Sequence, residues 1–380
     1  VKKNFVKGKG SYIYTDKGEK YLDMVQGISA NILGHSNDYL NRALRIQSEK
    51  IWNTSNLFVI EGQERFSQRI CEHTKFDFCA LQNSGLEACE LMIKSIRRYF
   101  NLKNPKKNKI LCIKSSFHGR SIATISAGGS PKHTDKFGPL LEGFQHFEFA
   151  NHEQMKESIT EETCAIMIED TILGEAGIRK IPTHCMKGLQ DLCDEKNLLL
   201  CLDSVQSGYM RSGKFFAYEY AGIKPSMVAF AKGAGGGYPV AGVLFSSEVA
   251  SAMSQPGIHG STFAGSQLSM AVANAVLDII LEESFPKKVQ DISKYFFEKL
   301  NDIQLKFPKL IKEVRGLGLL IGIQLMEDPA KFMNKLLENK LITVKAGENV
   351  IRLLPPLNVT KVEIDECIQI LIKTCEEYKN

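Results

Sequence analysis

No apolar run in the chain reaches the roughly 18 residues that a helical membrane span needs. No stretch carries the charged, apolar and small-residue regions of a secretory or organellar leader. Neither a membrane anchor nor an export signal is therefore expected. Ten cysteines are present, but no two form a C-x-x-C pair. Most lie inside apolar periodic segments, as Cys112 does in Lys109-Ile110-Leu111-Cys112-Ile113. That pattern argues for free thiols in a reducing, cytoplasmic compartment, and against a disulfide framework or a metal site. A large charge of either sign is also missing: the formal net charge is +5, and the basic residues are spread along the chain. The densest basic run, residues 103–109, is broken by Pro105 and reads as a solvated loop. Without a basic patch interleaved with aromatics, no nucleic-acid partner is expected. Internal repeats and low-complexity segments are absent as well.

What remains has the composition of an ordinary soluble globular protein, with 43% hydrophobic and 24% charged residues. At 380 residues it has chain enough for two or three domains. Residues 1–24 alternate polar and apolar around Gly8, Gly10 and Gly18, which reads as a small β-meander. Helical periodicity runs over 37–50 and 63–73. Asn83-Ser84-Gly85 then opens a long helix to about residue 100, with Asn83 or Ser84 as N-cap and Glu87 and Glu90 near its positive end. Short apolar strands are predicted at 110–113, 163–168, 198–202, 226–231 and 240–245, with helices near Glu153 and over 184–196 between them. This alternation predicts an α/β fold with a mostly parallel, doubly wound sheet. Helices at 265–281 and 286–307 follow. The tail reads as a compact α+β unit, with strands near 319–325, 341–344 and 350–354 and helices at 330–338 and 361–378.

Two of the predicted strands end in chemistry. The run 227–231 ends at Lys232, and Gly233-Ala234-Gly235-Gly236-Gly237 follows at once. An amine partly desolvated there is held toward its neutral, nucleophilic form, and glycines let a flat ligand approach the backbone. The alternative is a surface lysine that opens a glycine turn. Leu198-Leu199-Leu200-Cys201-Leu202 ends in Asp203, and open α/β sheets bind ligands at the carboxyl ends of strands. An amine and an acid facing one crevice are what pyridoxal phosphate needs: a lysine for its aldehyde and an acid for its ring nitrogen. Asp203 as a plain cap is the alternative.

Ser84 and Gly85 at a helix N-terminus form a ready anion site, or simply a cap. Thr262, in His259-Gly260-Ser261-Thr262-Phe263, either adds a phosphate bond or caps the next helix. Phe117-His118-Gly119-Arg120 follows a strand exit, where the aromatic can stack on a ring and Arg120 can grip a carboxylate; a core phenylalanine and a surface arginine are the alternative. Arg352 lies alone in the apolar run Ile351-Arg352-Leu353-Leu354, so it needs a partner: a structural carboxylate or a substrate's.

Together these segments resemble the class III pyridoxal-phosphate aminotransferases, in the group of acetylornithine, succinylornithine and ornithine aminotransferases. The resemblance runs from Gly8-Lys9-Gly10 into the C-terminal region, through Asn83-Ser84-Gly85-Leu86-Glu87-Ala88, Phe117-His118-Gly119-Arg120, Asp203-Ser204-Val205-Gln206-Ser207-Gly208, Ala231-Lys232-Gly233 and His259-Gly260-Ser261-Thr262-Phe263. It implies transferase fold type I: a large domain with a mostly parallel doubly wound sheet at 41–283, and a small α+β domain built from 1–40 and 284–380. It implies a homodimer and ping-pong transfer from an amino acid to a 2-oxo acid. Lys232 would hold the cofactor as a Schiff base and then carry the proton, and Asp203 would keep the ring protonated. Phe117 and His118 would lie at the ring and Gln206 near the phenolic oxygen. Ser84, Gly85, Leu86 and Thr262 of the partner subunit would hold the phosphate. Arg120 and Arg352 would bind substrate carboxylates, with Glu175 pairing to Arg352 until a diacid arrives. No metal is implied.

The implied reaction moves the δ-amine of an N-acylornithine such as N-acetylornithine to 2-oxoglutarate, within arginine biosynthesis. Free ornithine, succinylornithine, GABA or another ω-amine are the alternative donors, and cofactor binding without turnover is the reading outside catalysis. Several positions depart from the family pattern. Leu86 stands where Thr or Ala is usual, Ser204 replaces a glutamate, Asp170 and Thr171 stand where Glu-Pro is usual, and Ser266 replaces an asparagine.

Overall fold

The computed structural model describes residues 3–378. A seven-stranded sheet forms its centre, in the order Phe78–Gln82, Ala241–Phe245, Met227–Phe230, Leu199–Asp203, Thr163–Glu169, Lys109–Ile113, Phe144–Phe147. The last five of these pair in parallel. Ala241–Phe245 runs against both of its neighbours, so Phe78–Gln82 shares the direction of the other five.

Alternation along the central strands explains why helices cover both faces. Leu200, Leu202, Val228 and Leu244 join one apolar cluster with Met186 and Leu189 of the helix Thr183–Lys196. Leu199, Cys201, Met227 and Val243 join another with Ala88, Cys89 and Met92 of the helix Gly85–Lys103. Each such buried aliphatic side chain stabilises the fold by about 1.5–3 kcal/mol, so the strand ends are held by dense packing beneath them. Because the parallel strands share a direction, Ile113, Glu169, Asp203 and Phe230 all finish at one edge of the sheet.

The N-terminal meander is present as Phe5–Lys9, Tyr12–Thr15 and Lys20–Asp23. Leu341–Ile342 adds to it in parallel, which joins the two ends of the chain in one sheet. Ile311–Leu317, Leu320–Leu325, Val350–Leu353 and Val344–Ala346 make a further antiparallel sheet. Arg211 ties these parts together. It is fully buried, its Nε donates to Ser29 Oγ, and its Nη1 donates to the carbonyls of Leu319 and Pro355. Burial lowers it to about 9.

Among strands of four residues or more, three have no counterpart among the predicted elements: Phe78–Gln82, Phe144–Phe147 and Ile311–Leu317. The first two are the sheet's edges, and all three carry half-exposed or exposed positions. An edge strand need not be a continuous apolar run, which is the signal that finds buried parallel strands.

Candidate active site

The edge where the strands finish encloses a cavity of about 500 Å³. Lys232 enters it two residues after Phe230, at φ 44°. That left-handed conformation costs a non-glycine residue roughly 1–2 kcal/mol, and such strain is tolerated where a side chain must be aimed. Burial, with Arg352 nearby, lowers the amine to about 8 against the opposing pull of Asp203, Glu175 and Glu169.

Asp203 closes the neighbouring strand and is nearly buried. Its Oδ2 accepts from His118 Nδ1 at 2.8 Å, and its Oδ1 accepts from the Val205 amide at 3.0 Å. With Nδ1 committed to Asp203, the buried His118 Nε2 has no partner among the described residues. Phe117 lines the cavity beside His118, and the exposed Arg120 guanidinium lies over the Phe117 ring at 5.2 Å.

Ser84 caps the helix Gly85–Lys103 by accepting from the Glu87 amide, and Glu87 returns the bond to the amide of Ser84. The cap leaves the amides of Gly85 and Leu86, which have no intrahelical acceptor, at the cavity wall. A side chain at Gly85 would bring its Cβ to 2.7 Å from Val205 Cγ1, so only glycine lets this helix start so close to the loop after Asp203.

Arg352 stands behind the wall, with its side chain 1% exposed. Nη2 donates to Glu175 Oε1 at 2.7 Å and Nη1 to Gln206 Oε1 at 3.0 Å. Gln206, expected beside a cofactor oxygen, thus spends its carbonyl on Arg352. Thr262 is exposed and lies outside this chain's cavity. The cap of the following helix is Ser266, which accepts from the Ser269 amide. Asp170 and Ser204 meet: Asp170 Oδ2 accepts from Ser204 Oγ at 2.8 Å and from the Ala217 amide at 3.1 Å. Burial raises Asp170 to about 6.

Sequence reasoning missed Glu169. Its Oε1 accepts from the Phe117 amide at 3.0 Å and its Oε2 from the Gly174 amide at 2.8 Å, so one carboxylate joins the loop of Phe117 to the loop of Glu175. Burial raises it to about 7. The signal was available, since Thr163–Glu169 is an apolar strand ending in an acid, like Leu199–Asp203.

A family model described as "Aminotransferase class-III" matches residues 2–375. The chain belongs to the class III aminotransferases. It is 44% identical to the acetylornithine aminotransferase of Agrobacterium fabrum over 363 residues, covering 95% of this chain and 90% of that protein. It is also 44% identical to the enzyme of the same name from Mesorhizobium japonicum, covering 96% and 91%. Among solved structures, the ornithine aminotransferase of Toxoplasma gondii superimposes with a TM-score of 0.94 at 27% identity, covering 100% of this chain and 91% of that one. The acetylornithine aminotransferase of Elizabethkingia anophelis gives 0.87 at 28% identity, covering 99% and 94%.

Membership in this class implies pyridoxal phosphate, and the residues fit it. The cavity offers a partly desolvated amine, an acid with donors on both carboxylate oxygens, an aromatic wall and two unshared amides at a helix start.

Proposed function

We propose that this class III aminotransferase takes the δ-amino group of N-acetylornithine, or a closely similar N-acylornithine, and delivers it to 2-oxoglutarate, as a cytoplasmic homodimer in arginine biosynthesis. The observation that carries the reading is the convergence of Lys232, Asp203 and Glu175 on one cavity, with Arg352 paired to Glu175 behind its wall. When bound, pyridoxal phosphate supplies an aldehyde that condenses with amines and a ring that accepts the electrons released at the substrate carbon.

Each residue has a distinct task toward it. Lys232 Nζ anchors the cofactor and then moves the proton from the donor's δ-carbon, which suits an amine held near neutrality rather than at its usual value. Asp203 keeps a proton on the ring nitrogen, with His118 and the Val205 amide fixing the carboxylate. Phe117, which lines the cavity, would supply its aromatic wall. The amides of Gly85 and Leu86, the Ser84 side chain and Thr262 of the partner subunit hold the phosphate. Glu175 neutralises Arg352 while the donor is bound, and Gln206 accepts a second guanidinium N–H. A diacid displaces Glu175 and takes Arg352 with its own carboxylate. Arg120, at the mouth, binds the α-carboxylate of the acylated donor.

The names of the 44% identical relatives support N-acetylornithine as donor. The overlay on an ornithine aminotransferase favours free ornithine as the second reading. A donor screen with 2-oxoglutarate as acceptor, read as glutamate formed, separates them. N-acetylornithine should give the highest kcat/KM. Ornithine or GABA ahead of it would replace the proposed donor, and no glutamate from any amine would remove the catalytic reading.

A further inference from the structure

Cys89 is the fifth residue of the helix Gly85–Lys103 and is completely buried. Its neighbours in the apolar cluster include Met92, Cys201 and Ala229, so filling space is one task it performs. Space-filling alone does not account for where the sulfur points. Cys89 Sγ lies 3.3 Å from Asp203 Oδ2, the same oxygen that accepts from His118 Nδ1. It reaches the carboxylate from the interior and forms no part of the cavity wall.

The polarity of this contact follows from its surroundings. Burial, together with the charges of Asp203, Glu90 and Glu169, holds the thiol well above its usual range. It therefore keeps its proton, and a carboxylate can only accept. Oδ2 thus takes two donors, His118 and Cys89, while Oδ1 takes one, the Val205 amide. The oxygen left with the most spare acceptor capacity is Oδ1.

We infer that Cys89 is a positioning residue for Asp203: its S–H bond helps orient the carboxylate toward the ring nitrogen and draws off part of its negative charge. This rests on the reading that Asp203 serves a bound pyridoxal phosphate. Every donor that a carboxylate accepts spreads its charge. Removing one leaves a more concentrated anion, which favours the protonated forms of a cofactor beside it.

The test is the pH midpoint of the visible absorbance of the holoenzyme, measured without substrate. Cys89→Ala should raise the midpoint by roughly half a pH unit, the size of one weak hydrogen bond to a charged group. Cys89→Ser, which restores a donor, should keep the parent's midpoint. Cys89→Val repeats the comparison if the alanine variant does not fold. An unchanged midpoint in the variants without a donor, or a serine variant that shifts with alanine, overturns the inference while leaving the cofactor assignment intact. A parent protein that gains no visible band with pyridoxal phosphate overturns both.

Discussion

Glu169 and Asp203 stand opposite each other in the register of two adjacent parallel strands, each the last residue of its strand. The two acids serve different partners: Asp203 is tied to His118, and Glu169 bridges the amides of Phe117 and Gly174. Burial raises Glu169 from 4.5 to about 7. A carboxyl with a raised folded value contributes stability that is complete below its unfolded value and disappears as pH climbs through the folded one. The apoprotein should therefore lose stability between pH values of about 4.5 and 7, by at most roughly 3 kcal/mol from this group. Glu169→Gln, which cannot ionise, should flatten that slope, though Asp170 keeps part of it through the same effect up to about 6. Denaturant midpoints of the two apoproteins at several pH values measure it, and parallel slopes would show that Glu169 does not titrate in this window.

Lys232 has the opposite sign. An amine lowered from 10.5 to about 8 penalises the folded state while it is charged, and stability recovers as pH rises from about 8 to 10.5. Lys232→Ala should abolish transamination and yet leave the apoprotein as stable as the parent at pH 7, or more stable by about 1–3 kcal/mol. Thermal melting of both apoproteins, alongside glutamate formation, checks the two halves separately. Borohydride treatment of the parent with cofactor should leave a covalent label on the peptide containing Lys232, and a label elsewhere would move the anchoring role to another residue.

Some of this site was legible in the sequence and some was not, for identifiable reasons. Lys232, Asp203 and the Ser84 cap each follow from a local rule: a strand that ends in a charged residue, or a capping residue before an apolar helix. The resemblance to a known family then supplied Arg352 and Glu175 as a pair, which spacing alone does not, since 177 positions separate them. The bridge made by Glu169 and the thiol bond of Cys89 depend on which loops lie side by side, and no window of sequence encodes that. The same holds for Asp170 and Ser204. Each looked like an isolated departure from the family pattern, and the fold makes them partners at 2.8 Å. The edge strand Phe144–Phe147 escaped because Gln145 and His146 break its apolar run; the run Phe78-Cys79-Ala80-Leu81 of the other edge strand was readable and was missed.

The exposed residues Trp52, Leu57, Phe58 and Val59 lie in one segment, and Phe263 is exposed beside Thr262. Asn53 Nδ2 donates to the Thr262 carbonyl at 3.4 Å and the Thr54 amide to Gln267 at 3.1 Å, so segment and loop are neighbours. These exposed apolar side chains near Thr262 suit coverage by a second copy of the chain, as the proposed homodimer requires. Phe58→Asp should raise the dimer dissociation constant at least tenfold, as about 1.4 kcal/mol of lost burial does. It should weaken phosphate retention in parallel, because Thr262 of the partner subunit would be withdrawn. Sedimentation and cofactor titration on one sample decide this. A variant that stays dimeric with undiminished cofactor affinity places the interface elsewhere.

In the proposed reaction, the Arg352 network would decide how the two substrates share one site. A side chain at Gly174 would overlap Gln206 Oε1, the atom that accepts from Arg352 Nη1. Gly174→Ala should therefore push Gln206 off Arg352 and leave Glu175 as its remaining side-chain partner. Glu175→Gln does the reverse: it keeps the shape but removes the anion that must leave before a diacid can bind. Glu175 is about one-third exposed at 34%, so water screens the pair and its displacement costs on the order of 1 kcal/mol. Glu175→Gln should accordingly lower KM for 2-oxoglutarate by roughly fivefold with little change in the amine half-reaction rate at saturation. The amine donor should now bind less well, since Arg352 carries an uncompensated charge during that half. Measuring each half-reaction alone, with the other substrate absent, separates these effects. Equal changes in KM for both substrates would mean that Glu175 holds the loop in shape and does not compete for Arg352.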